Sequence, residues 1–317
     1  MARIFSDQTI LGKINVKNFL IYFWRKRFVI YAVLSPFLLF FGLWAFWYEP
    51  SSLVVKNYDL KIKHWNPAHN NLKIAAVSDV HGGSNFITEE KIRKVVELTN
   101  EQNPDLIVLL GDFVSEQTFN RSELNMPASI IADNLSGFKA KYGVFAVLGN
   151  HDFRYNLPKV RSELERVGIR VLDGETAIIN HNNQDLIILG LAEVLKINEW
   201  YSYANGAKNA LKTTRADVNV LALVHNPDAI GIITGDFLVS ENLRLVLAGH
   251  THGGQVRLPL IGSIIVPSSY GQKYALGHVV ENGIDMFVTT GIGTSILPVR
   301  FGVPPEISVL TISAKQE

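Results

Sequence analysis

The longest uninterrupted hydrophobic run lies near the N-terminus, where Phe28–Tyr48 forms an uncharged stretch of 21 residues. As a helix rising about 1.5 Å per residue it would be roughly 30 Å long, which matches the hydrocarbon core of a bilayer. Trp44, Trp47 and Tyr48 gather at its C-terminal end, as in the aromatic belts of membrane proteins. The stretch therefore predicts a transmembrane helix. A buried globular helix and a cleaved signal peptide are the alternatives, and the latter is disfavoured because no small-x-small cleavage site follows.

Basic residues flank this stretch unevenly. Arg25-Lys26-Arg27 directly precedes it, whereas Lys56 and the lysines beyond it follow at a distance. The positive-inside tendency then predicts a cytoplasmic N-terminus and a C-terminal domain on the outer, extracytoplasmic face, with an inverted or peripheral arrangement as the alternative. The predicted organisation is a cytoplasmic segment 1–27, a transmembrane helix 28–48, a linker with an edge strand 49–70, and a globular domain 71–317.

Within 71–317, short apolar runs alternate at first with amphipathic stretches. Strands are predicted at 72–77, 106–110 and 144–148, with helices at 89–100, 127–138 and 157–167. This β-α-β-α-β order indicates parallel strands joined by right-handed crossovers. The second half is richer in strand patterns, predicted at 176–179, 186–191, 218–224, 243–247, near 257, and at 274–280, 286–289 and 307–312. Thr88 and Asn226 are the expected N-caps of the helical turns that follow them.

Polar residues stand just beyond the ends of these strands. Asp79, Asp112 and Asn150 follow the first three, and the carboxyl edge of such a sheet is where ligands bind. His225 follows a later strand. His250 and His252 follow the strand at 243–247, and on an extended segment two residues apart they would point to the same side.

Composition narrows the chemistry of these residues. The 317-residue chain is 47% hydrophobic and 19% charged, which favours a folded domain with a large core. Its net charge is +1 and no basic face stands out, so nucleic-acid binding is not expected. It has no cysteine, which excludes thiolate metal sites. Carboxylate, imidazole and amide ligands suit divalent Mn, Fe, Zn, Ni or Co, and they are too many for one ion. Two ions roughly 3.5–4 Å apart are therefore expected.

Five motifs carry a family resemblance: Asp79-x-His81, Gly111-Asp112, Gly149-Asn150-His151-Asp152, His225-Asn226-Pro227-Asp228 and Gly249-His250-x-His252. In this order, over about Leu72 to Ile312, they resemble the calcineurin-like metallophosphoesterases. The apolar stretch and the extended Gly-His-Thr-His-Gly-Gly-Gln motif are most similar to the membrane-anchored bacterial YaeI/YkuE-type branch, which is associated with UDP-2,3-diacylglucosamine hydrolase-like, lipid A-related activity. The resemblance implies an α/β (α+β) fold: a four-layer β-sandwich of two mixed sheets flanked by helices, here preceded by one transmembrane helix.

The resemblance also implies roles for individual residues. Asp79, His81 and His252 would bind a first metal and Asp112 would bridge both. Asn150, His225 and His250 would complete a second site, with Mn, Fe or Zn as the expected ions and a metal-bridging hydroxide as nucleophile. His151 would be the general acid for the leaving group rather than a ligand. Asp152 would orient its neighbours or be purely structural.

One departure concerns the substrate. Phosphoprotein phosphatases place Asp-Arg-Gly shortly after the Gly-Asp pair, whereas here Gly111-Asp112 continues as Phe113-Val114-Ser115-Glu116. A phosphoprotein substrate is therefore not expected. Arg154, Arg257 and Arg300 are the alternative candidates for a phosphate contact.

The predicted function is a membrane-anchored, two-metal phosphodiesterase or pyrophosphatase acting on a lipid-linked substrate of the UDP-2,3-diacylglucosamine type. The alternatives are a phosphodiesterase for soluble nucleotides or exported phospholipids, and a non-catalytic metal-binding scaffold of the same fold. An aromatic insertion (Trp200, Tyr201 and Tyr203) and the apolar loop 296–299 are expected to be ordinary packing, with acyl-chain or bilayer contact as the alternative.

Overall fold

The computed structural model describes residues 16–117, 123–193, 200–212, 214–215 and 217–316, and the chain divides into two units, Met1–Trp44 and Ala45–Glu317. In the first unit, helix α1 (Val16–Leu43) contains Pro36. From Phe28 onward its large apolar side chains are mostly exposed. By length and composition, Arg27–Ser51 could cross a membrane: its mean hydropathy is 2.1 and 6% of its most apolar window is buried. Such low burial is not that of a core helix.

The second unit contains the remaining elements. Its helices are α2 (Glu49–Ser51), α3 (Glu89–Glu101), α4 (Ala128–Leu135), α5 (Asn150–Arg166), α6 (Trp200–Leu211) and α7 (Ile230–Ile233). Its strands are β1 (Val54–Ile62), β2 (Leu72–Val77), β3 (Leu106–Leu110), β4 (Val144–Val147), β5 (Arg170–Val171), β6 (Glu175–His181), β7 (Gln184–Gly190), β8 (Val220–Leu223), β9 (Leu243–Ala248), β10 (Arg257–Leu258), β11 (Gly262–Ser263), β12 (Gly277–Glu281), β13 (Ile284–Val288) and β14 (Glu306–Ala314).

Two mixed six-stranded sheets form within the described residues, beside the short hairpin β10–β11. The first has the order β1-β14-β2-β3-β4-β5, in which β2 to β5 are parallel and β14 runs antiparallel to β2. The second has the order β12-β13-β9-β8-β7-β6, with a parallel centre and an antiparallel pair at each edge. The predicted fold class is confirmed, including the parallel β2-β3-β4 core.

Alternation along the central strands separates the layers. In β2, Ile74 and Ala76 face the core between the sheets, where they join Leu245 and Leu247 of β9. The intervening Ala75 and Val77 face α3, α4 and α5 in a second core. A third core covers the other face of the second sheet, against α6 and α7. The strands are buried on both faces, as near-continuous apolar runs require.

The predicted helix N-caps can be compared directly with side-chain hydrogen bonds in the structure. The Thr88 hydroxyl accepts from Lys91 N at 3.2 Å, and the Asn226 amide oxygen accepts from Asp228 N at 2.9 Å, so both predicted caps are confirmed. The predicted helix 157–167 is incomplete, because α5 already begins at Asn150. At Asn156 the backbone leaves the helical region and its side chain accepts from Lys159 N at 3.1 Å, which recaps the second part.

A strand predicted from Tyr274 is wrong over its first residues. Gly271–Tyr274 is a 3₁₀ turn, and β12 begins only at Gly277. The Tyr274 ring is fully buried and its hydroxyl donates to Glu281 at 2.8 Å. Packing of this ring, rather than strand pairing, fixes the segment. Tyr203 of the predicted aromatic insertion is likewise buried, which fits ordinary packing, while residues 194–199 lie outside the described residues.

Candidate metal centre

The carboxyl ends of strands from both sheets meet at one place. Asp79 and Asp112 follow β2 and β3, and Asn150 begins α5 after β4. His225 follows β8 in the second sheet, and His250 and His252 follow β9. Backbone bonds join these ends: Asp79 N donates to Gly111 O at 2.9 Å and Gly249 N donates to His225 O at 3.0 Å.

One group of side chains contains Asp79, His81 and His252, whose ligand atoms all lie within 4.8 Å of one another. His252 Nε2 lies 3.4 Å from Asp79 Oδ1 and 3.3 Å from His81 Nε2. All three side chains are buried. Two imidazole nitrogens and a carboxylate oxygen converging in this way could hold a divalent cation.

A second group contains Asp112, His225 and His250, again within 4.8 Å. His225 Nε2 lies 3.2 Å from Asp112 Oδ2 and 3.1 Å from His250 Nδ1. Asn150 Oδ1 lies 3.2 Å from the same His225 nitrogen and adds an amide oxygen to the group.

Asp112 lies between the two groups. Its Oδ2 is 3.2 Å from His225 Nε2 and 3.7 Å from His81 Nε2. Its Oδ1 accepts from His151 N at 2.8 Å, in the first turn of α5, where the helix end favours negative charge. A carboxylate oriented toward both groups is what a shared ligand requires.

Backbone carbonyls orient three of the imidazoles. The Nδ1 atoms of His81, His225 and His252 lie 3.3, 2.7 and 3.2 Å from the carbonyls of Val114, Leu110 and Gly293. In the neutral His81 and His252, an Nδ1–H bonded to a carbonyl leaves Nε2 as an acceptor directed into the site. The Nε2 atoms of His81 and His252 are then both acceptors, they lie 3.3 Å apart, and neither carries a hydrogen that it could donate to the other. This arrangement fits a cation between them.

The expectation of an extended segment at His250 and His252 is wrong. Their φ angles are 72° and 51°, in the left-handed region, and each histidine joins a different group. Asp79, His81 and Asp112 also have positive φ, at 54°, 47° and 55°. Residues other than glycine adopt this conformation at a cost, and such strain concentrates at functional sites.

Two motif glycines allow the segments to approach. A Cβ at Gly149 would lie 2.3 Å from Asp112 Oδ1, and one at Gly249 would lie 1.9 Å from Ser78 Oγ and 2.8 Å from Asp79 Oδ2. Any side chain at either position would displace a carboxylate of the site.

Asp152 holds the backbone of the site. Its Oδ1 accepts from Phe113 N at 2.9 Å and Val114 N at 3.2 Å, and its Oδ2 accepts from Asp112 N and Gly149 N, both at 2.9 Å. Burial, together with the Asp112 charge, raises the pKa of Asp152 to about 7, while the N–H donors oppose that shift. Asp152 is therefore a positioning residue between β3 and α5.

His151 pairs with a residue that the sequence did not single out. Its Nδ1 lies 2.5 Å from Glu116 Oε2. Burial would lower the pKa of His151, but the Glu116 bond and the Asp112 charge raise it above the usual value. Burial would raise the pKa of Glu116, but the bond and charge of His151 together with smaller contributions lower it, so the carboxylate is kept ionised. The signal was the position of Glu116 in the loop after β3, at the same sheet edge.

The other imidazoles have strongly shifted pKa values. Burial lowers the pKa of His81 to about 3 and that of His250 to about 4, and it holds that of His252 well below its usual value. These histidines are neutral, as metal ligands must be. Burial would lower the pKa of His225, but Asp112 raises it well above the usual value, and His225 in turn lowers that of Asp112.

Among the three candidate arginines, Arg300 is bonded to the backbone of the fold, which argues against a phosphate contact. It is fully buried, and its guanidinium donates to the carbonyls of Thr290, Gly291, Gly293 and Val303. Its role is to hold the loop whose Gly293 carbonyl orients His252. Arg154 and Arg257 are exposed.

A sandwich of mixed sheets whose facing strand ends gather carboxylates and imidazoles is typical of metal-dependent phosphoric ester hydrolases. The family described as calcineurin-like phosphoesterase matches residues 72–254, more than half of the chain. The chain therefore belongs to the calcineurin-like phosphoesterases, a family that uses divalent metals.

Relatives of this chain include a protein named as an uncharacterized metallophosphoesterase and a protein named as a phosphodiesterase. It is 30% identical over 274 residues to the uncharacterized metallophosphoesterase YkuE of Bacillus subtilis, covering 86% of this chain and 89% of that one. It is 29% identical over 243 residues to the phosphodiesterase YaeI of Escherichia coli, covering 76% and 82%. Among solved structures, the phosphopantetheinyl hydrolase PptH of Mycobacterium tuberculosis matches with a TM-score of 0.42 at 11% identity, covering 73% of this chain and 96% of that one.

Proposed function

We propose that this protein is a membrane-anchored phosphodiesterase or pyrophosphatase that uses two divalent metal ions. The observation that carries the proposal is the position of Asp112, whose Oδ2 lies 3.2 Å from His225 of its own group and 3.7 Å from His81 of the other. Asp79, His81 and His252 would hold one ion. Asn150, His225 and His250 would hold the other, with Asp112 shared.

When bound, such ions lower the pKa of water and polarise the phosphoryl oxygens. The residues of this chain supply the rest. Asp79 and Asp112 supply the carboxylate oxygens. His81, His250 and His252 are already neutral and can bind an ion directly, whereas His225 must first lose a proton. Mn, Fe and Zn suit this set of oxygen and nitrogen donors.

His151 would donate a proton to the leaving-group oxygen. Its Nδ1 is engaged by Glu116, which leaves Nε2 as the acid, and its side chain is 20% exposed, whereas every proposed ligand except the half-buried His250 is buried. A raised pKa keeps the imidazolium populated near neutral pH, as a general acid requires.

For the substrate, we favour a lipid-linked phosphodiester or pyrophosphate of the UDP-2,3-diacylglucosamine type. The apolar stretch Arg27–Ser51 supports attachment to a membrane, and the name of YaeI supports diester cleavage. UDP-sugar lipids are made on the cytoplasmic side, whereas the basic residues before the stretch favour an outer domain. If the domain lies on the outer face, exported phospholipids are better substrate candidates than UDP-sugar lipids.

The test uses the purified full chain in detergent with Mn²⁺ and bis(p-nitrophenyl) phosphate, a soluble diester. Hydrolysis that is lost in Asp112→Asn supports the proposal. Wild-type protein that binds two metal ions per chain without turnover would instead establish a metal-binding scaffold. Faster turnover of soluble dinucleotides than of lipid-linked diesters would exclude the lipid substrate while leaving the hydrolase.

A further inference from the structure

Beside the metal centre, two loops expose a set of large aliphatic side chains, which we call the apolar rim. Its members are Leu260, Ile261, Ile264, Ile265, Ile296 and Leu297. Leu260 and Ile296, near the middle of their loops, are completely exposed, and the other four are at least 58% exposed. Large apolar side chains exposed together on loops beside a site are typical of an interaction surface.

The backbone holds two of these side chains outward under strain. Leu260 has φ of 66° and Ile296 has φ of 63°, in the left-handed region. A β-branched isoleucine rarely adopts that conformation. Strain at a fully exposed aliphatic residue has no packing benefit within the described residues, which points to a role outside the fold.

Hydrogen bonds tie both loops to the His250–Gln255 segment. Ser263 Oγ donates to Gly253 O at 2.6 Å, next to His252. The Gln255 side chain accepts from Ser295 N at 2.6 Å and donates to Leu297 O at 3.0 Å. The apolar rim is thus fixed to the strand end that carries two metal ligands.

The segment that follows the apolar rim is bonded to the last residues of the N-terminal apolar stretch, which belong to the same unit, Ala45–Glu317. Arg300 N, three residues beyond Leu297, donates to Ala45 O at 2.9 Å. Phe46 and Trp47 follow with exposures of 55% and 68%. Aromatic residues at the end of a membrane span mark the interface of the bilayer, so the neighbouring loops would lie at that level.

We infer that the apolar rim inserts into the lipid surface and opens the metal centre toward the headgroup layer. The inference rests on the proposed membrane attachment and deepens it. Aliphatic side chains entering the boundary between headgroups and acyl chains would place a lipid phosphodiester beside His252 without removing the lipid from the bilayer. A second copy of the chain is the competing occupant.

The absence of cysteine permits a direct test. Full-length Leu260→Cys and Ile296→Cys proteins, each labelled with an environment-sensitive fluorophore, are reconstituted into phosphatidylcholine/phosphatidylglycerol vesicles containing nitroxide lipids. Ile178→Cys is the matched control, since Ile178 is 54% exposed on edge strand β6. We expect at least threefold stronger quenching at both rim positions than at the control. Equal quenching at all three positions overturns the inference, as does shielding that depends on protein concentration rather than on lipid.

An activity measurement separates this inference from the proposed function. The double variant Leu260→Ser/Ile296→Ser should hydrolyse the soluble diester within twofold of wild type, but a headgroup-labelled phosphatidylethanolamine in vesicles at least tenfold more slowly. Equal losses on both substrates contradict the inferred role. If the wild type cleaves neither diester, the proposed function fails, while the quenching result still decides whether the apolar rim inserts.

Discussion

Arg300 gives the sharpest prediction, because its alternative roles demand opposite results. Its guanidinium reaches four backbone carbonyls and is fully buried. In Arg300→Lys, one ammonium with three donors replaces the planar fork, so at least one carbonyl loses its partner. Each buried polar group left unsatisfied costs about 1–3 kcal/mol. With one or two carbonyls lost at that cost, we expect the free energy of unfolding to fall by about 1–6 kcal/mol, out of a typical stability of about 5–15 kcal/mol.

The assay is denaturant unfolding of the full chain in detergent, followed by circular dichroism, with Arg257→Lys as the control. Arg257 is exposed, and we expect its substitution to change stability by about 0.5 kcal/mol or less. The Gly293 carbonyl would also lose its anchor, so metal affinity should fall with stability. An Arg300→Lys protein of wild-type stability and metal affinity, with only a raised KM, would refute the structural role and restore the phosphate contact.

Four further predictions concern the metal centre. Asp112→Asn should reduce bound metal from about two ions per chain to well below one, measured by elemental analysis, because both groups share this charge; retention of both ions would contradict the bridging role. His151→Ala should keep its metal but slow hydrolysis about 10²–10⁴-fold, and loss of metal in this variant would exclude the role of His151 as general acid. Glu116→Gln should shift the alkaline limb of the kcat/KM profile to lower pH, because Glu116 raises the pKa of His151. An unmoved limb would exclude the proposed His151–Glu116 pair. Metal affinity should rise by up to about tenfold per pH unit below the raised pKa of His225, since the ion must displace that proton; a flat profile in chelator competition would show that no proton is displaced.

The sequence predicted the central strands well because their burial is simple. Leu106–Leu110 is apolar throughout and Leu72–Val77 is apolar except for Lys73, and both strands have the predicted bounds in the structure. A strand covered on both faces leaves little choice of register or length. The clustering of Asp79 and Asp112 beyond those ends followed from parallel pairing alone.

The first turn of α5 could not be predicted in this way. Asn150-His151-Asp152 has no apolar periodicity, and it begins after a glycine. The Asp152 carboxylate accepts from Phe113 N in the loop after β3 and from Gly149 N just before α5, so tertiary contacts stabilise the turn. Glu116 was missed for a related reason: a loop residue 35 positions from His151 becomes its partner only when the strand ends meet.

The left-handed backbone at His250 and His252 could not be predicted from the spacing of the two histidines either. Two histidines separated by one residue fit an extended segment, on which both would face one ion. The structure instead gives each a positive φ, and each contacts a different ligand group. Gly249 makes this possible by its close approach to Ser78 and Asp79, and Gly253 by its φ of 62°. The motif thus encodes a turn that divides its two histidines between two groups of side chains, and the proposed two-metal site depends on that division.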